Sequence, residues 1–101
     1  MFISGGENVY PVEVERILSQ HPAVREVAVV GLPDGKWGES GCAVISLNDG
    51  AYTDSAEILQ FCTDKLAKFK IPKRVEFMEN LPKGDSGKIL KREIKNLFAS
   101  K

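Results

Sequence analysis

The sequence predicts an α+β domain of two layers, with helices packed on a small three-stranded sheet of mixed direction and an N-terminal strand-loop ahead of them. Three observations carry this. Two apolar, β-branched runs, residues 27–32 and 42–47, have the length of strands, and a shorter alternation follows at 75–77. Apolar residues recur at helical spacing after Pro11, after Asp54 and again near the C-terminus. Turn-forming triplets, Pro33-Asp34-Gly35 and Asn48-Asp49-Gly50, close the two long runs. At 101 residues and 43% apolar composition the chain reads as one domain, residues 1–101, able to bury about two-thirds of its unfolded surface.

Taken in order, Met1-Phe2-Ile3 is strand-like and runs straight into Ser4-Gly5-Gly6-Glu7-Asn8. A chain that opens inside an apolar strand is expected to be a segment of something longer. Gly5-Gly6 permits positive φ or a close approach to another surface, and equally suits a plain loop before a helix. Pro11 fits the first helical position, where its missing N–H has no partner to lose. Glu13 and Glu15 favour that N-terminal turn electrostatically. Val14, Ile17 and Leu18 form the stripe expected to be buried, and His21-Pro22 ends the helix.

After the first long strand, Lys36-Trp37-Gly38-Glu39 places a tryptophan beside a turn. Deep burial is not expected there, so Trp37 is a candidate for stacking on a planar ligand or packing at an interface. In the second strand Ala43, Ile45 and Leu47 share one face, and Cys42 and Val44 the other. Asp54 with Glu57 three residues on marks a helix start. Ile58, Leu59, Cys62 and Leu66 supply its apolar side. The basic stretch 68–74 interleaves Phe69 with cations, and Val75 and Phe77 alternate with Glu76 as the third strand.

Composition excludes several classes. No apolar run approaches the roughly 20 residues of a membrane span, and no signal-peptide pattern opens the chain. Cys42 and Cys62 stand apart in apolar surroundings, which reads as reduced core thiols in a cytoplasmic protein, with a disulfide between them the lesser alternative. A single histidine, His21, rules out a histidine-rich metal site or a hydrolase triad, and no metal ligands are assigned. Net charge is zero but uneven: residues 1–64 hold three basic and ten acidic side chains, and residues 65–101 hold eleven and four. The last third is therefore expected either to meet a polyanion or to be a solvated basic face.

The stretch with the most chemistry is Leu81-Pro82-Lys83-Gly84-Asp85-Ser86-Gly87-Lys88. Pro82 ends whatever precedes it. Gly84 and Gly87 flank Asp85 and Ser86 in a loop that supports Lys88, a compact charge on a long stem. Ile89, Leu90, Ile94, Leu97 and Phe98 recur at helical spacing behind it and are expected to anchor it. A P-loop requires glycine where Pro82 stands and Ser or Thr where Ile89 stands, so that motif fails. Gly84-Asp85-Ser86-Gly87 does fit the letters of a KH-type RNA-binding loop. A stand-alone nucleic-acid or adaptor module using the basic last third is therefore the alternative, beside a plain hairpin turn.

Several separated motifs together point further. Residues 3–11 (Ile-Ser-Gly-Gly-Glu-Asn-Val-Tyr-Pro), His21-Pro22-Ala23-Val24, Gly31-Leu32-Pro33-Asp34 with Trp37-Gly38-Glu39, and the stretch from Pro82 to Lys88 follow one another in that order. The set resembles the C-terminal domain of AMP-forming acyl- and aryl-CoA synthetases, within the adenylate-forming superfamily. The resemblance covers essentially the whole chain and implies a small mobile domain. A large N-terminal domain, with the hinge that leads from it, is then absent from this chain. ATP and CoA would be substrates, Mg²⁺ would sit in that absent domain, and the fragment alone would be inactive.

By the same resemblance Lys88 matches the adenylation lysine. The Gly5-Gly6 loop would line the path of the CoA thiol arm after the domain rotates. Trp37 and Phe69 match positions that stack on the CoA adenine, and Lys73 a phosphate-binding cation. A neighbouring position that is Arg in some relatives is Ile71 here. The implied partners are the large domain, CoA, the acyl-adenylate and a lysine acetyltransferase acting on Lys88, with no nucleic acid and no membrane span.

Overall fold

The computed structural model describes residues 1–99. Along them run β1 (Phe2–Ser4), β2 (Glu7–Val9), α1 (Pro11–Leu18), β3 (Val24–Asp34), β4 (Gly38–Leu47), α2 (Ser55–Thr63), a 3₁₀ turn (Lys68–Lys70), β5 (Arg74–Phe77) and α3 (Lys91–Ala99). β4 is the spine of the sheet. β3 lies antiparallel along one of its sides. β1 meets β4 at Ser4 and Gly38, and β5 pairs with residues 42–45 in parallel. The sheet is thus of mixed direction in an α+β domain, as the sequence predicts.

The N-terminal strand-loop joins that sheet. β1 and β2 form an antiparallel hairpin in which Phe2 faces Val9 and Ser4 faces Glu7, so the described sheet has five strands. The hairpin is pinned by Phe2, only 6% exposed, whose ring lies over the paired glycines Gly31 and Gly41. A Cβ on Gly31 would come within 2.6 Å of the Phe2 ring, so the glycine there is a slot for that ring.

The layering differs from the two layers expected. Val14 and Leu18 of α1 and Ile58 and Cys62 of α2 pack on one face, against Val29, Ala43 and Ile45. Ile94 and Phe98 of α3 pack on the other, against Ala28, Val30, Cys42 and Val44. The reason is in the strands themselves: β3 and β4 are apolar on both faces, so each face needs a helix over it. A β-bulge between Val24 and Glu26 shifts the alternation and keeps Val24 on the α1 side.

Helix starts follow the local chemistry. Pro11 begins α1, and the Asp54 side chain accepts the Glu57 N–H at 2.9 Å to cap α2. Both cysteines are free and buried, and burial pushes the Cys42 thiol up to about 11. One expectation about the C-terminus is corrected. Ile89 and Leu90 precede α3 instead of riding on it, because the chain first closes a hairpin: Lys83 bridges to Ile89, and the Leu90 N–H donates to the Pro82 carbonyl at 2.9 Å. Leu97 lies on the exposed side of α3.

Candidate functional site

Two places gather the residues singled out by sequence, and they are built differently. The first is a cleft of about 500 Å³ lined by Ser4, Gly5, Glu7, Trp37, Lys68, Phe69 and Lys73. The β1–β2 turn forms one wall, and its glycines have left-handed backbone, φ +58° at Gly5 and +84° at Gly6. The Gly5 N–H donates to the Trp37 carbonyl at 2.9 Å. A Cβ on Gly5 would meet Trp37 Cε3 at 2.8 Å, so the indole rests directly on the glycine backbone. Nothing crowds Gly6, which faces open space.

Trp37 itself is 38% exposed. The ammonium groups of Lys36 and Lys73 lie 5.0 and 4.9 Å from the centre of its ring, within cation–π range. The turn that carries it is fixed by Asp34, whose Oδ1 accepts the N–H of Lys36 at 2.8 Å and of Trp37 at 3.1 Å. Those two backbone bonds, helped by the Ser40 hydroxyl and the Lys73 charge, hold the Asp34 carboxyl below its ordinary value. Phe69 comes from the 3₁₀ turn on the opposite wall, half-buried against the core. Lys73 is placed by its N–H, which donates to the Gly41 carbonyl at 2.9 Å.

The arrangement offers a flat aromatic surface rimmed by cations, suited to a planar group that carries negative charge. Gly5, Trp37, Phe69 and Lys73 are brought together; Gly6 adjoins them on the turn. Ser4, Glu7 and Lys68 also line the cleft and were not singled out, although Lys68 adjoins Phe69 in the basic stretch and Glu7 adjoins Gly6. Lys70 points elsewhere, its ammonium 3.0 Å from Glu13 on α1.

The second place is the hairpin of Lys88. Gly84 donates its N–H to the Lys88 carbonyl, and Gly87 donates to the Gly84 carbonyl, both at 2.9 Å. Gly87 takes φ +83° to close the turn. Leu81, at 3% exposure, and half-buried Ile89 root the neck in the core under α3. Asp85, Ser86, Gly87 and Lys88 are exposed, and among the described residues no carboxylate pairs with the Lys88 ammonium. Lys88 opens onto a shallow groove with Ile89, Leu90, Lys91, Arg92 and Glu93. Among the described residues none lines both this groove and the Trp37 cleft.

This hairpin also corrects the KH alternative. A KH loop joins two helices, whereas Gly84-Asp85-Ser86-Gly87 turns between bridged Lys83 and Ile89, after β5. Among the described residues no group of three or more His, Cys, Asp or Glu stands together to hold a metal ion. None of the described helices is long and apolar enough to cross a membrane.

Comparison with known proteins agrees with this fold. The family model of the AMP-binding enzyme C-terminal domain matches residues 13–88. A 2-succinylbenzoate–CoA ligase of Bacillus cereus is 50% identical over 97 residues, covering 96% of this chain and 20% of that protein. A feruloyl-CoA synthase of Amycolatopsis is 50% identical over 98 residues, 97% of this chain and 20% of that protein. ATP-bound MatB from Rhodopseudomonas palustris superposes with a TM-score of 0.95 at 38% identity, over 98% of this chain and 20% of its own. The chain thus spans about a fifth of the length of these relatives. With 76 of its residues inside the family model, an α+β fold that superposes on a solved relative and the glycine-lysine hairpin in place, this chain belongs to the AMP-binding enzyme C-terminal domain family.

Proposed function

We propose that this chain is the small mobile domain of an ATP-dependent acid–CoA ligase and presents two different faces to one active site in turn. The observation that carries this reading is the pair of separate sites on one small body, an exposed glycine hairpin bearing Lys88 and an aromatic, cationic cleft, with no described residue lining both. The named relatives, a CoA ligase, a CoA synthase and an ATP-bound protein, support ATP and CoA as the substrates.

In the first half-reaction a carboxylate oxygen of the acid bonds to the α-phosphorus of ATP, and pyrophosphate leaves with the electron pair of the broken P–O bond. Negative charge accumulates on the transferring phosphoryl group. Lys88 delivers a positive charge there, and the glycines of its hairpin, Gly84 and Gly87, with Ser86 between them, let the tip enter a confined site. The domain then turns. The Gly5-Gly6 loop lines the thiol arm of CoA: the thiol loses its proton, its sulfur bonds to the acyl carbon, and the acyl carbon–oxygen bond breaks with AMP leaving on that electron pair.

CoA's adenine stacks on Trp37 and Phe69, and Lys73 meets its phosphate. Lys68 lines the same cleft and adds a second cation. Mg²⁺ is assigned to the larger part of the enzyme, and among the described residues no three of His, Cys, Asp or Glu stand together to hold it. The acid is chosen in that larger part too. Two relatives equally similar to this chain act on succinylbenzoate and on ferulate by their names, as expected if the small domain does not read the acid. Acetylation of Lys88 by a lysine acetyltransferase would remove its charge and stop the first step.

The test separates the half-reactions in the full-length protein. Lys88→Ala should lower acyl-adenylate formation by about 10²–10³-fold, the loss typical of one oxyanion donor. Thioester formation from supplied acyl-adenylate should continue. Equal losses in both would overturn the reading. The 101-residue chain alone should release no pyrophosphate from ATP in an acid-dependent way.

A further inference from the structure

The hairpin of Lys88 is fastened from outside at both roots, by two carboxylates that no motif singles out. On the incoming side Lys83, bridged to Ile89, pairs its ammonium with Glu26 of β3. On the outgoing side Lys91, at the start of α3, pairs with Glu15 Oε2 of α1 at 2.6 Å. That same Glu15 oxygen accepts the Val29 N–H at 2.9 Å, so the carboxylate is itself held by β3. The carboxylates are the fixed ends: the side chains of Glu26 and Glu15 are 22% and 20% exposed, against 38% and 40% for Lys83 and Lys91.

We infer that Glu15 and Glu26 are positioning residues for Lys88, setting where its ammonium is delivered. The inference rests on the role proposed for Lys88. Leu81 and Ile89 press the neck of the hairpin into the core, which fixes its depth but leaves a narrow hairpin free to rock about its neck. The two ion pairs tie the incoming and the outgoing root of that neck to separate elements, β3 and α1, and so oppose its rocking. Beyond them, residues 85–88 are exposed and no side chain there makes a hydrogen bond among the described residues, so the tip inherits its place from the roots. A charge that acts on one transition state must arrive within a fraction of an ångström, and a misplacement of about 1 Å is enough to cost up to about 10²-fold.

The experiment uses the full-length protein with Glu26→Gln and Glu15→Gln, singly and together. Each removes a charge and keeps the shape, and the amide at position 15 still accepts the Val29 N–H. Each is expected to slow acyl-adenylate formation about tenfold, through the rate constant and not through KM for ATP. Thioester formation from supplied acyl-adenylate should stay at the parent rate. The exchange Glu26→Lys with Lys83→Glu should recover most of the lost rate, which a residue needed only for folding would not show.

Adenylation within twofold of the parent in both variants, while Lys88→Ala abolishes it, would overturn the inference and leave the role of Lys88 standing. Loss of both half-reactions together with a lower melting temperature would also overturn it, marking the pairs as structural ties. Unimpaired adenylation in Lys88→Ala would remove the role of Lys88 itself, and the inference with it.

Discussion

The cleft at Trp37 and the hairpin at Lys88 are supported in opposite ways. The cleft is made by packing: the Trp37 ring rests on the Gly5 backbone, Phe69 leans on the core, and the hairpin forming one wall is pinned by Phe2 over Gly31 and Gly41. The Lys88 hairpin is packed only at its neck, and its tip touches little. A stacking site gains from a surface formed before the ligand arrives, because no ordering cost is left to meet on binding. A charge that, under the proposed function, enters another domain's site gains from an unencumbered tip. The difference teaches that damage should divide along the same line: changes at the cleft cost stability and CoA affinity, and changes at the tip cost one chemical step.

The strongest way to break this contrast is at Phe2. Phe2→Ala should cost about 3–5 kcal/mol of stability, the usual range for an emptied aromatic site. It should weaken CoA binding as well, because the wall carrying Gly5 loses its pin. Lys88→Ala should leave the melting temperature unchanged. Denaturant unfolding of both variants decides it, and a Lys88→Ala variant as unstable as Phe2→Ala would erase the distinction.

Next in size are the two rings of the cleft. Trp37→Ala and Phe69→Ala should each raise KM for CoA by a factor worth about 1–3 kcal/mol, the value of one aromatic–base stack. Adenylation should hardly change in either. The two should differ in stability, since Phe69 packs on the core and Trp37 is 38% exposed. A KM for CoA unmoved in both variants would remove the stacking reading.

What the sequence shows of this arrangement follows from how local each feature is. Lys88 and its glycines are contiguous, so the hairpin is readable from a dozen residues. The caps of α1 and α2 are equally local. Trp37, Phe69 and Lys73 come from separate elements, and only the resemblance to a known family joins them. Ser4 and Glu7 enter the cleft because β1 meets β4 at a single pair, Ser4 with Gly38, and no periodicity announces that register; Lys68 enters it from the 3₁₀ turn beside Phe69. The slot at Gly31 and Gly41 is of the same kind, since it exists only once Phe2 is laid across two paired strands. The layering was nearer to hand. Cys42 and Val44 facing away from Ala43 and Ile45 already made both faces of β4 apolar, which calls for helices on both sides.

Gly5 sharpens the comparison from inside the cleft. The family resemblance implies passage of the thiol arm for Gly5-Gly6, whereas the structure gives Gly5 a neighbour of its own in Trp37. Gly5→Ala must strain a left-handed backbone, at about 1–2 kcal/mol, and displace the indole. Its effect on KM for CoA should therefore shrink sharply in a Trp37→Ala background, while Gly6→Ala should act the same in both backgrounds. Full additivity between Gly5→Ala and Trp37→Ala would show that the glycine does not seat the ring.

The smallest effect expected is a pH dependence confined to the cleft. Asp34 accepts two backbone N–H bonds in the turn that carries Trp37, and they hold its carboxyl below its ordinary value of 3.8. A group whose folded value is depressed stabilises the fold above the unfolded value, and that contribution is lost as pH falls through the folded one. The window therefore opens just under pH 4 and extends downward, and neutral pH lies outside it. Trp37 is the single tryptophan in the sequence, so its fluorescence reports the turn directly in the 101-residue chain. Acidification should shift its emission before the far-ultraviolet signal of the helices is lost. Asp34→Asn keeps an oxygen at the same place but cannot titrate, so the early shift should disappear while global unfolding stays where it was. An unchanged Trp37 profile in Asp34→Asn would mean that the carboxylate does not hold the turn, leaving Gly5 as the contact that places the ring.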